Sequence, residues 1–145
     1  MVSIKGILKH PYVKLSIGDH KVRTRVVKSN LNPRWDEELT LATPYPPKPL
    51  NLVVYDKDTF SADDKMGEAE IDLTSLIAAV NLNESQDCED GVTVRTIPAT
   101  KENGFAKESL IKLKNGQLVQ KVHVRLQNVE RGEIKLELMW QPYTQ

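Results

Sequence analysis

Asp56, Asp58, Asp63 and Asp64 stand within nine residues of the segment "DKDTFSADDKMG". Carboxylates packed this closely repel one another, so a chain keeps them in open water or around a cation. Oxygen ligands suit a hard ion, and calcium is the first candidate. Asp56 and Asp58 are two apart at a strand end, so their side chains project to one side, and Asp64 returns after an excursion long enough to curl into a cup. An EF-hand does not fit the spacing. With Asp56 as its first position, Ser61 falls where the turn glycine belongs and Gly67 where the bidentate glutamate belongs. A solvated acidic loop is the alternative, and the position of the cluster at the mouth of an inter-strand loop favours the metal. Phe60, at the loop tip, suits a membrane-inserting wedge, or a ring folded back over its own loop. Met66 reads as exposed beside it.

A cationic cluster lies upstream. In "YVKLSI" and "KVRTRVV" apolar and polar residues alternate, with Gly18-Asp19 as the turn between them. The hairpin therefore carries Tyr12, Lys14, Lys21, Arg23 and Arg25 on its outward face. Such a face attracts anionic lipid, or it is a solvated strand face kept basic against edge pairing. Hydrolytic chemistry has little support: His10, His20 and His123 have no serine or cysteine beside them in a nucleophile motif. No glycine-rich phosphate loop occurs, so the chain reads as no enzyme. Asn83-Glu84-Ser85 matches a glycosylation acceptor that a cytosolic chain would not use.

The elements that hold these clusters are mostly strands. Period-two runs recur at residues 37–43, 50–55, 67–73, 92–97, 109–114, 118–127 and 133–140, with Asn115-Gly116 as a strong hairpin signal. One helix is expected over residues 74–80, where Leu73, Leu76, Ile77 and Val80 recur at helical spacing and Asp72 can cap the start. Trp35 and Trp140 are assigned to strands and to the core. Residues 81–91, polar, acidic and without periodicity, are expected to form a mobile loop. The plan is all-β, an antiparallel β-sandwich with one short helix.

Length and composition agree. The 145 residues are one domain's worth, with 39% hydrophobic and 28% charged residues. The 20 basic and 20 acidic residues cancel, but residues 1–48 carry +5, residues 49–100 carry −8 and residues 101–145 carry +3. Surfaces of opposite sign follow, unless the fold mixes the charges again. No apolar run reaches the roughly 18 residues of a transmembrane helix, and the start lacks the form of a secretory signal. The single Cys88 cannot pair internally, which suits a reducing compartment.

The strand "HPYVKLSIG", the basic stretch "HKVRTRVVKSNLNPRWDEELTL" and the loop "VYDKDTFSADDKMGEAEI" together resemble a C2 domain. Asn32-Pro33-Arg34-Trp35 and the Asp-x-Asp pair with a further Asp and then Met66-Gly67 are the most specific features. A long insertion at about residues 73–119 and the ending "NGQLVQKVHVRLQNVERGEIKLELMW" resemble the small plant C2-domain abscisic-acid-related family. The resemblance implies an eight-stranded C2 sandwich over residues 1–145. It also implies a calcium site at Asp56, Asp58, Asp64 and the Lys57 carbonyl, and a phosphoinositide-binding surface at the basic hairpin with Tyr55 nearby. Partners implied are an anionic phospholipid membrane and an abscisic-acid receptor or a GTPase to be activated. The location is cytoplasmic, peripheral at the plasma membrane, or the nucleus.

The chain departs from that family at its start. His10 stands where the first calcium loop ends in an aspartate, and Ile4 falls near the other expected carboxylate. A splice form or alternative start would produce this, and residues 2–8 could replace the missing strand. With that loop emptied of acids, calcium is expected to bind weakly, as one ion, with Asp63 spare. The leading expectation is a membrane-docking adaptor with weakened calcium dependence. The alternative is a calcium-independent soluble interaction module. Nucleic acid is not expected, because the acidic loop would repel phosphates.

Overall fold

A computed structural model describes residues 10–28, 34–58, 61–128 and 132–142. Among the described residues, eight strands form two antiparallel sheets. β1 (Pro11–Ile17), β2 (His20–Arg23), β3 (Leu50–Asp56) and β4 (Asp64–Ile71) lie in the order β2-β1-β3-β4. After the helix α1 (Thr74–Asn81), strands β5 (Thr93–Ile97), β6 (Ser109–Lys114), β7 (Gln117–Arg125) and β8 (Glu133–Met139) pair in sequence order.

Alternating apolar residues explain how the sheets meet. Val13, Leu52, Val54 and Ile71 of the first sheet pack in one core with Val122, Val124 and Ile134 of the second. Both turns anticipated from sequence are present. Gly18 sits at φ 57, and Asn115 and Gly116 sit at φ 51 and 80, the left-handed pair that a two-residue hairpin of matching twist requires. Helix α1 is shorter than the roughly 12 residues at which a helix becomes marginal on its own, so burial holds it. Leu76 and Ala79 pack against Ile111, Leu113 and Leu118. Asp72 accepts the Thr74 amide at 3.0 Å, as its sequence position suggested, while Leu73 occupies the N-cap position itself.

Four expectations need correction. Residues 37–43 keep alternating burial but form no strand: the Arg25 amide donates to the Glu37 carboxylate at 2.8 Å and the Ala42 amide to His20 Nδ1 at 2.7 Å. Side-chain acceptors here take donors that a ladder would use. Trp35 is buried on an irregular segment, and Trp140 lies just beyond β8, half-buried. Residues 81–91 are tied down rather than loose: Glu84 receives Arg95 at 2.8 and 2.6 Å, and Gly91 donates to the Leu113 carbonyl at 2.7 Å. Met66 packs against the core, because an irregularity pairs Val54 with Gly67 but Tyr55 with Lys65 and leaves Met66 as the extra residue.

Candidate functional site

Register assembles the basic face. β1 and β2 place Lys14 directly opposite Arg23 and Ser16 opposite Lys21, while β1 and β3 place Tyr12 opposite Tyr55. The two tyrosine rings stack at 5.4 Å, with 16° between their planes. Arg23 lies over the Tyr12 ring at 4.9 Å, and Lys14 Nζ over the Tyr55 ring at 5.1 Å. Like charges directly opposite each other destabilise a sheet by up to about 1 kcal/mol, and each cation–π contact returns about 0.5 to 1 kcal/mol at an exposed site. The aromatic pair thus holds two cations side by side. Lys14, Lys21 and Arg23 are exposed.

Two hairpin residues differ from these three in their surroundings. Tyr12 is on the outer side but only 3% exposed, with Arg23 and the Tyr55 ring stacked on it, and it supports the cations. Arg25 lies past the end of β2, where its Nη2 donates to the Trp35 carbonyl at 3.0 Å and its Nε stands 3.6 Å from Glu37. Its charge is shared, not free. Phe60 lies outside the described residues, as do Asn32, Pro33 and residues 2–8.

The acidic loop has contacts of its own. Asp56 accepts the His10 amide at 2.8 Å, and Asp58 accepts the Ser61 hydroxyl at 2.7 Å. Asp64 is the β4 register partner of Asp56 and is exposed. Among the described residues, no three histidine, cysteine, aspartate or glutamate side chains come together in a group able to hold a metal ion.

Asp63, read from sequence as the spare acid, is the one that joins the two clusters. Its carboxylate accepts the Tyr12 hydroxyl and also the Asp58 amide at 3.0 Å. Burial first, then the hydrogen bond to Asp63 and its charge, push the Tyr12 hydroxyl up to about 12. The Tyr12 bond, then the Asp58 amide, hold Asp63 below its ordinary range. Signs follow from which form the fold prefers. Tyr12 contributes stability that is complete below about pH 10 and is lost as pH rises through about 12. Asp63 contributes stability present above about pH 4 that is lost as pH falls through its lowered value. In Asp63→Asn the Tyr12 phenol is expected to titrate below 12 but still above 10, since burial remains. Phenolate absorbance reads this directly, and an unmoved titration would break the link. No sequence signal pointed to Asp63, because its partner lies 51 residues away.

A family model described as "C2 domain" matches residues 4–89. This chain belongs to the C2-domain family. It is 48% identical over 130 residues to the Arabidopsis thaliana Protein C2-DOMAIN ABA-RELATED 3, covering 90% of this chain and 77% of that one. Membership thus extends to the C2-domain ABA-related proteins. A rice protein, GTPase activating protein 1 of Oryza sativa subsp. japonica, is 42% identical over 130 residues, covering 90% of this chain and 78% of that one. A C2 domain of plant Extended Synaptotagmin 1 shares the fold, with a TM-score of 0.60 at 20% identity over 99% of this chain and 92% of that one. Phospholipid and calcium are common ligands of C2 domains. No described helix is long and apolar enough to cross a membrane.

Proposed function

We propose that this chain is a single, non-catalytic C2 adaptor that docks at the periphery of anionic membranes through the outer face of β1, β2 and β3. The observation that carries this is the Lys14–Arg23 pair, two like charges held directly opposite each other over a tyrosine stack with Lys21 beside them. An anionic headgroup relieves that repulsion. At about 1 kcal/mol per basic residue near an anionic leaflet, the exposed Lys14, Lys21 and Arg23 supply roughly 3 kcal/mol, a reversible attachment. Calcium contributes weakly in this reading, as one ion. Asp56, Asp58, Asp64 and the Lys57 carbonyl would leave most of the six to eight oxygens to water and lipid phosphate. The partner in this reading is an abscisic-acid receptor or a GTPase, met at the plasma membrane or in the nucleus; the words ABA-related and GTPase activating in two relatives' names support the partner classes and do not bear on location.

Cosedimentation with phosphatidylserine vesicles tests the reading. Binding is expected in chelator, to fall steeply with added salt, and to rise no more than about fivefold with millimolar calcium, the effect of about one charge at the surface. Binding that needs calcium would shift the site to the acidic loop. Absence of binding in both conditions would favour a soluble interaction module. That second reading has one observation of its own, a groove of mixed character between the end of α1 and the end of β8, lined by Val80, Leu118, Trp140 and Pro142 and by the polar Asn83 and Gln117. Leu82, which follows α1, is 68% exposed.

A further inference from the structure

The two sheets press their apolar faces on a common core, so their outer faces look in opposite directions. One is the docking face proposed above. The other is also cationic. Ile111, Val122, Val124 and Ile134 point inward, and alternation sends Lys112 of β6, Lys121 and Arg125 of β7 and Lys135 of β8 outward. These four take part in no ion pair among the described residues. The two acids on this face are already engaged, Glu137 with Lys114 at 3.7 Å and Glu133 with His123. Met139, 49% exposed, adds apolar surface beside the lysines. Asp87, Glu89 and Asp90 stand in the segment before β5, the edge strand farthest from β8, and Asp90 accepts the Asn115 amide at 2.7 Å.

We propose that the outer face of β6, β7 and β8 is a second surface for anionic lipid, so that one molecule links two bilayers. This rests on the docking reading for the opposite sheet. The charge arrangement favours lipid over an acidic protein. Four cations are spread across three paired strands, matching the diffuse negative potential of a leaflet whose headgroups move to accommodate Glu133 and Glu137. Sheets pack about 10 Å apart, so with a layer of side chains on each side the linked membranes are separated by roughly 2 to 3 nm.

The test uses the full chain with phosphatidylcholine vesicles containing phosphatidylserine, in chelator, with cosedimentation for binding and light scattering for clustering. The parent is expected to bind and to cluster vesicles. Clustering should rise and then fall as protein is added, because vesicles coated through one face have none left to bridge. Lys121→Glu with Lys135→Glu should lose clustering by about tenfold or more while binding stays within about fivefold, since the other face is intact. Lys121→Gln with Lys135→Gln repeats the measurement without reversing charge, and its far-ultraviolet spectrum checks that the sheet is kept. Clustering retained in both variants overturns the proposal, as does a parent that binds without clustering, which would assign the face to a protein partner or to solvent. Clustering that never falls at excess protein also overturns it, in favour of self-association. A parent that does not bind at all removes the docking reading, and with it the bridge.

Discussion

Lys21→Ala with Arg23→Ala is expected to lower partitioning onto anionic vesicles in chelator by about twentyfold or more. Each lost cation removes roughly 1 kcal/mol of attraction, about fivefold, and both side chains are exposed and outside any ion pair among the described residues. Arg23 also covers the Tyr12 ring, so its loss uncovers the stack as well as the charge. Arg25→Ala is the control. Its guanidinium is already shared with Glu37 and the Trp35 carbonyl, so its removal should cost less than either single change. Cosedimentation over a salt series checks the double variant, its two single changes and Arg25→Ala, and the differences should shrink as salt rises. If the double variant binds like the parent, the basic hairpin is a solvated face and the interaction-module reading leads.

Trp35→Ala is expected to destabilise the fold by about 3 to 5 kcal/mol, the cost of emptying a large aromatic site in a core. Trp35 is 2% exposed and packs in the main cluster, with its indole N–H donating to the Pro11 carbonyl at 3.3 Å. That carbonyl keeps a second donor, the Val27 amide at 3.2 Å, so the loss comes from the cavity and not from an orphaned acceptor. For a domain of this size the midpoint of thermal unfolding should fall by roughly 10 to 20 °C. Trp140→Ala, at a half-buried position beyond β8, should cost less. Urea denaturation of the two variants side by side decides this, and equal midpoints would refute the assignment of Trp35 to the core.

Period-two patterning was enough to place most of the fold. β6 coincides with its expected span, and the hairpin turns at Gly18 and Asn115-Gly116 were readable because left-handed backbone restricts which residues occur there. What escaped was non-local. Residues 37–43 alternate as a strand does, yet the Glu37 and His20 side chains occupy donors that a ladder would use. An irregularity that turns Met66 inward depends on how β3 and β4 meet, which no single strand encodes. The candidate site divides in the same way. Lys14, Lys21 and Arg23 were legible from alternation alone, whereas the burial of Tyr12 and its bond to Asp63 arise from strands and a loop far apart in the chain. In the acidic loop, the charge that is dense in sequence is arranged by pairing: Asp56 and Asp64 are in register and Asp58 is tied to Asp63, contacts that depend on how β3 and β4 meet.

β4 is the outermost strand of its sheet, yet its middle is not open. The Glu68 amide donates to the Gln127 carbonyl at 3.2 Å and the Gln127 amide to the Glu68 carbonyl at 2.7 Å, with the Asn128 side chain donating to the Glu68 carboxylate. A stitch of this kind joins an edge of one sheet to the chain leaving the other. Neither sheet can then fray past that point without carrying its neighbour along, so the smallest opening that exposes these amides to exchange involves both layers. For a protein whose two sheets are proposed to be pulled toward separate surfaces, that cooperativity sets how much load the sandwich bears before it comes apart.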